Sequence, residues 1–223
     1  MLVQKNVLKK WNSVYAGGTS KDYPSLELVR LEHLHFKHVG RGKVLEYACG
    51  TGVNTIHLLK CGYEVTAVDI VDGALQMVAE KAMKDNLDDN LILDKIDINQ
   101  TFLPYESESF DFIIAMSVLS LLGEKASIDH LLGELRRVLK KDGKIILDIN
   151  DQDSEFSRNL EQIEENVFLS SDNTGVRYYC LKNADDFKKI VEPYFSITDS
   201  GYSAHEVFGR RINEWIISAC KNS

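Results

Sequence analysis

The stretch VLEYACGTG, residues 44–52, gathers the chain's densest set of residues with an evident chemical use. A short apolar run carries Glu46, and Ala48, Gly50 and Gly52 follow at once. Residues this small let a backbone approach a ligand closely, and glycine reaches conformations that other residues avoid. A second acid, Asp69, ends the next apolar run, VTAVD (65–69). The site therefore offers a close-approach loop with a carboxylate on either side, which suits a ligand bearing hydroxyl donors and positive charge.

Two ligand classes compete for a strand, glycine loop and helix followed by such an acid: a dinucleotide and S-adenosylmethionine. Both contain adenosine, whose ribose hydroxyls suit Asp69. The loop separates them. From Gly50 the chain reads GTGVNT, with Thr55 where the dinucleotide pattern G-x-G-x-x-G/A has its third small residue. Glu46 would repel a pyrophosphate in a partly desolvated site. S-adenosylmethionine carries an ammonium, a sulfonium and no phosphate, so Glu46 attracts its amino-acid end, in part through water.

The elements that must hold these residues follow from periodicity. KVLEY (43–47), YEVTAVD (63–69), LILDKID (91–97), FDFIIAMS (110–117) and GKIILDIN (143–150) read as buried strands, several of them rich in Val and Ile. Between them, 52–62 reads as a helix stopped by Gly62, and 72–86 as a helix capped by Asp72. A third helix, 124–143, carries Ile128, Leu131, Leu132, Leu135 and Leu139 on one face and closes on Lys140, Lys141 and Gly143. Beyond it come a hairpin within 166–181, a helix over 183–195 halted by Pro193, and final strands at 195–201 and 211–221. Strand–helix alternation implies an open α/β sheet covered on both faces, with ligands bound beyond the carboxyl ends of its strands.

In order, VLEYACGTG, VTAVDI, the acid in DKIDI, SFDFIIAMSVLSLL and ELRRVLKKDGKIIL resemble the class I S-adenosylmethionine-dependent methyltransferases, over roughly residues 40–150. The resemblance implies a doubly wound, Rossmann-like seven-stranded sheet, mostly parallel with an antiparallel last strand. It implies cofactor contacts from Glu46, Ala48, Cys49, Gly50, Gly52, Asp69, Met116 and Ser117. It also places Asp97 near the adenine amino group, with Ile70 and Ile98 against the ring. The family's first motif is acid-x-Gly-x-Gly-x-Gly, and Ala48 stands at its first glycine. A methyl there is tolerated if the backbone angles are ordinary. AMSVLS after the fourth strand replaces the Asp/Asn-Pro-Pro-aromatic run of the DNA and RNA amino-methylating enzymes of this fold, which argues against a nucleic-acid base as acceptor.

The predicted reaction is in-line displacement, in which an acceptor oxygen or nitrogen takes the methyl and S-adenosylhomocysteine leaves. Positioning carries such chemistry, so a strong protein base is not obligatory. If the acceptor is a hydroxyl, His205 and Tyr178 are the candidates to take its proton. His57 and His130 read as ordinary helix residues. Tyr15 and Tyr23 lie in an aromatic N-terminal stretch expected to precede an amphipathic helix and fold over the cofactor as a lid. Arg177 and Arg210 are candidates to hold a phosphate or carboxylate of the acceptor. The segment DYPSLELVRL (22–31) resembles those of bacterial methyltransferases acting on sugar or surface-glycan precursors.

The chain has 223 residues and a net charge of −8, and no basic run offers a phosphate-tracking surface, so a small molecule is expected as partner rather than nucleic acid. The N-terminus lacks a secretory apolar segment, and the longest apolar run (112–122) is too short to span a bilayer, so a cytoplasmic protein with no membrane partner is expected. The four cysteines, at 49, 61, 180 and 220, show no C-x-x-C spacing; they read as reduced core thiols, and cysteines and histidines are not expected to cluster as zinc ligands. One domain is expected, with a helical lid over 1–40, a cofactor core over 41–150 and an acceptor side over 151–223. Two alternatives stay open on the residues alone: a nicotinamide-dependent oxidoreductase, and a catalytically silent S-adenosylmethionine-binding module.

Overall fold

The computed structural model describes residues 2–18, 23–97, 102–154, 157, 160–172, 174–207 and 210–221. Five strands, β1 (Lys43–Tyr47), β2 (Glu64–Asp69), β3 (Leu91–Lys95), β4 (Phe110–Ala115) and β5 (Leu139–Asn150), pair in parallel. Helices α3 (Val53–Lys60), α4 (Asp72–Lys84) and α5 (Lys125–Val138) lie between them in sequence. Two long strands, β9 (Phe195–Val207) and β10 (Arg210–Lys221), complete the sheet, and β10 runs antiparallel to both β5 and β9. The order is β3-β2-β1-β4-β5-β10-β9. Chain order thus reverses between β1 and β4, and the carboxyl ends of those two strands frame the crevice where such sheets bind ligands.

The central strands alternate with period two between two cores. Leu45, Ile113, Ile145 and Leu147 face one, together with Leu132 and Leu135 of α5; Val44, Phe112, Ile114 and Ile146 face the other. Burial on both faces is why these strands read as continuous apolar runs. Against the second core pack α2 (Leu26–Leu31) and a π-helical turn, Glu32–Phe36, through buried Leu28 and Phe36. Phe36 stacks on Phe112 with ring centroids 4.4 Å apart.

Several boundaries differ from the sequence reading. The third helix stops at Val138 rather than 143, because Leu139 turns extended (φ −74, ψ 133) and opens β5 opposite Phe110. Lys140 then pairs with Asp111 at 2.7 Å, and the left-handed residue of the turn is Asp142 (φ 60), not Gly143. Asp72 is not a cap: Val71 precedes the first turn of α4, and Asp72 instead pairs with Lys95. Gly62 (φ 88) does lie just past the end of α3. Residues 2–16 form a helix, α1 (Leu2–Ala16), within the stretch expected to be a helical lid, but Trp11 and Tyr15 sit on it rather than ahead of the first helix. The expected hairpin is β7 (Val167–Ser170) with β8 (Arg177–Tyr179), and an unforeseen strand, β6 (Leu160–Glu164), makes it a small antiparallel sheet. Helix α6 (Ala184–Val191) begins at Asn183, whose side chain accepts the Asp186 N–H at 2.9 Å. Among the described residues no helix is long and apolar enough to cross a membrane.

Candidate active site

The β1–α3 loop is built from its backbone outward. Cys49 N–H donates to Val68 O (2.9 Å), and Gly50 N–H to Asp69 Oδ2 (2.9 Å), so the loop is pinned to the end of β2. Gly52 leads into α3 at φ 77, and a β-carbon there would stand 2.6 Å from Val78 Cγ2 of α4. Only glycine meets both conditions. The condition set for tolerating a methyl at Ala48, ordinary backbone angles, is not met: its φ is 61, in the left-handed region, where a methyl group is unfavourable. The first-glycine position of the motif thus keeps the backbone that glycine prefers while carrying alanine.

Two buried carboxylates flank this loop. Glu46, 3% exposed, accepts the Thr55 hydroxyl. Burial pushes its carboxyl up to about 7, with Asp69 adding to the rise and hydrogen bonds from Thr55 and Asn54 opposing it. Asp69 is 5% exposed and accepts Gly50 N–H through one oxygen and Val71 N–H (3.0 Å) through the other. Burial raises its pKa against those backbone donors. With Ile70 N–H as a third backbone donor, the carboxylate keeps capacity for about one ligand hydroxyl.

Above the loop opens a cavity of about 810 Å3, within the roughly 300–1,000 Å3 usual for small-ligand clefts. Glu46, Ala48, Cys49, Gly50, Asp69, Ile70, Asp97, Met116 and Ser117 all line it. Gly52 does not, and acts through the helix start it permits. Ile98 and the side chain of Arg210 lie outside the described residues. Helix α1 crosses the cavity, presenting Val7, Trp11, Val14 and Tyr15, which share one face by their spacing. Trp11 and Tyr15 stack at 5.7 Å, and the Tyr15 hydroxyl lies 3.2 Å from where a β-carbon on Gly50 would stand. Burial, then Asp69 and Cys49, raise the Tyr15 pKa.

The far wall comes from the turn after β4 and from α5: Leu121, Leu122, Glu124, Ser127 and His130, with Arg177 of β8 beside them. Gly123 (φ 75) lets β8 pack close, since a β-carbon there would stand 2.9 Å from Arg177 Cβ. His130, read from the sequence as an ordinary helix residue, lines the cavity; its i, i+3 relation to Ser127 was visible, but which way that face points was not. Three expectations fail on placement. His205, on β9, faces Glu27 Oε1 at 2.5 Å in a separate cleft, drawn there by a carboxyl that His205, Ser203 and Ser25 hold down at about 2 against the opposing effect of burial. Tyr178 is buried and accepts a hydrogen bond from Lys10 at 2.8 Å. Tyr23 is 72% exposed and does not line the cavity. Nor do the described residues of the segment DYPSLELVRL. The four cysteines are free, and Cys61 joins His57 and Glu32 in a group whose ligand atoms lie within 4.8 Å, contrary to the expectation that these residue types would not cluster.

The sheet order defines a Rossmann-like fold, and the small-residue loop with its paired buried acids suits an adenosine ligand with a cationic tail. The donor set fits S-adenosylmethionine: both anions line the cavity, and among the described residues no lysine or arginine of the loop itself lines it to meet a diphosphate. The Methyltransferase domain family matches residues 44–143. Over those residues the chain is similar to the class I S-adenosylmethionine-dependent methyltransferases, and its fold is theirs. It is 22% identical over 234 residues to the ubiquinone biosynthesis O-methyltransferase of Rickettsia typhi, covering 97% of this chain and 88% of that one. Among solved structures it is similar to the Burkholderia thailandensis 1,6-didemethyltoxoflavin-N1-methyltransferase with bound S-adenosylhomocysteine (TM-score 0.73, 16% identity, covering 98% of this chain and 88% of that one). It is likewise similar to the N-methyltransferase NodS from Bradyrhizobium japonicum (TM-score 0.71, 14% identity, covering 98% and 100%).

Proposed function

We propose that the protein methylates an oxygen or nitrogen of a small acceptor that has an apolar body and an anionic group. The observation that carries this reading is the cavity wall beyond Ser117, where apolar Trp11, Leu121 and Leu122 stand with the cationic Arg177 and the imidazole of His130. The relatives named as O- and N-methyltransferases support either acceptor atom. Sugar phosphates and carboxylated rings both satisfy the anionic requirement, and the apolar wall favours the rings.

Glu46 would hold the ammonium, Asp69 a ribose hydroxyl, and Ile70 with Asp97 the adenine. When bound, S-adenosylmethionine supplies a methyl group on positively charged sulfur. The chain supplies position. Arg177 pairs with the acceptor's anion and fixes its register. Trp11 and Val7 of α1 close the cavity and exclude water, which strengthens each electrostatic contact inside. His130 replaces His205 and Tyr178 as the group within the cavity that takes a hydroxyl proton on an imidazole nitrogen.

The test is turnover of labelled S-adenosylmethionine against phenols, heteroaromatic amines, their carboxylated and phosphorylated forms, and sugar phosphates. Arg177→Ala should raise KM for anionic acceptors at least tenfold and leave S-adenosylhomocysteine affinity unchanged. His130→Ala should lower kcat for hydroxyl acceptors by about a hundredfold. Tight cofactor binding with no turnover across the panel would favour a silent binding module instead, and equal KM for charged and neutral acceptors in the wild type would remove Arg177 from its role.

A further inference from the structure

A second constellation stands outside the cavity, at the C-terminal end of α3. His57 and Cys61 are spaced i and i+4, so both project from the same side of the helix end. The buried carboxylate of Glu32, first residue of the π-helical turn, meets them there, and the three ligand atoms lie within 4.8 Å of one another. π-Helical turns are rare and concentrate at functional positions. Tyr63 completes the surroundings, its hydroxyl donating to Glu32 Oε1 at 2.7 Å. That bond leaves the other carboxylate oxygen for a further partner.

We propose that Glu32, His57 and Cys61 form a divalent transition-metal site, with Zn2+ the best-matched ion. One thiolate, one imidazole and one carboxylate are a borderline-soft donor set that suits zinc better than magnesium or calcium. The spacing agrees with this choice. A sulfur about 2.3 Å and a nitrogen about 2.0–2.1 Å from one tetrahedral zinc stand about 3.6 Å apart. Cys61 Sγ and His57 Nε2 are 3.6 Å apart. Binding converts the Cys61 thiol to thiolate, with its proton released to solvent, and the fourth position is left for water. The carboxylate, the thiolate and a doubly charged cation sum to zero, so the nearby Lys37 and Arg41 do not oppose the filled site. The ion would tie the end of α3, whose start carries the cofactor loop, to the turn preceding β1. The site goes beyond the methyltransferase reading and uses none of the cavity's residues.

The competing reading is a simple thiol–imidazole hydrogen bond beside a carboxylate, and cobalt distinguishes the two. The full chain, stripped with chelator, is titrated with Co2+ and followed by absorption. The expected result is one Co2+ per chain with thiolate-to-cobalt charge transfer, displaced by Zn2+. The band should vanish in Cys61→Ser and persist in Cys220→Ser, and His57→Ala should weaken affinity at least tenfold. Absence of the band in folded wild type, or its persistence in Cys61→Ser, overturns the proposal. Should Cys61→Ser fail to fold, protection of Cys61 from alkylation by Zn2+ in the wild type, located by peptide mass, takes its place; unprotected Cys61 overturns the site. S-adenosylhomocysteine affinity, measured with and without chelator, keeps the two readings separate, because the cavity does not depend on the metal.

Discussion

Replacing Glu46 with Gln should stabilise the protein while weakening its hold on the cofactor. Burial raises the carboxyl from 4.5 to about 7. A carboxyl whose folded pKa lies above its unfolded value favours the fold fully below the unfolded pKa, and that contribution is lost as pH rises through the folded pKa. The window here runs from about 4.5 to 7. A rise of roughly 2.5 units at about 1.36 kcal/mol each gives about 3 kcal/mol of strain at pH 8, carried by a fully buried group and so little screened. Gln keeps the shape and an oxygen for the Thr55 hydroxyl but cannot ionise. In a chain of this size about 1 kcal/mol moves Tm by roughly 2–4 °C, so Glu46→Gln should melt about 6–12 °C higher at pH 8. The gap should close near pH 4.5.

Cofactor binding should move the opposite way. The ammonium of the ligand needs the ionised carboxylate, of which only about one part in eleven exists at pH 6 and about ten in eleven at pH 8. Wild-type affinity for S-adenosylhomocysteine should therefore climb about tenfold across that range, with proton release seen by calorimetry in buffers of differing ionisation enthalpy. In Glu46→Gln the affinity should be lower and flat. Equal melting temperatures at pH 8, or a variant that retains the wild-type pH slope, would refute the assignment of strain and ligand to this one carboxylate.

Three further outcomes follow from the loop and the lid. Ala48→Gly removes a methyl from a left-handed residue (φ 61) and should raise thermal stability by about 1 kcal/mol without loss of cofactor affinity, by differential scanning calorimetry. Gly52→Ala adds an atom 2.6 Å from Val78 Cγ2 at φ 77 and should cost about 2–4 kcal/mol; Val78→Ala in that background should recover the steric part alone. Lys10→Ala cuts the bonds from α1 to Asp172 (2.7 Å) and Tyr178 (2.8 Å), a loss of about 1 kcal/mol, and should speed S-adenosylhomocysteine release about fivefold by stopped flow.

That Glu46, Gly50 and Asp69 would line one cavity was legible because the requirements are local. A strand-end acid, small residues at fixed spacing and a second acid after the next strand must follow one another in the chain, and Glu46, Gly50 and Asp69 were read from that order alone. The backbone state of Ala48 was not legible, since a residue type that tolerates many angles does not report which one the fold imposes. The reach of α5 was misjudged for a related reason: Leu139 continues the helical stripe, yet pairing with Phe110 of β4 wins it for the sheet.

The acceptor side failed differently. His205 and Tyr178 were chosen because polar residues on a hairpin and a late strand could face the crevice, but β9 lies at the sheet's edge, beyond β10, and turns His205 toward Glu27 of α2. His130 and Arg177 belong to elements far apart in sequence that meet only because β8 packs on the turn at Gly123. The same distinction separates the two groups of chemistry-bearing residues in this fold. The i, i+4 spacing of His57 and Cys61 stood in the sequence throughout, and it became a candidate metal site only when the turn before β1 delivered Glu32 to it. Local spacing can prepare two ligands; tertiary packing supplies the third, and with it the difference between a helix face and a site.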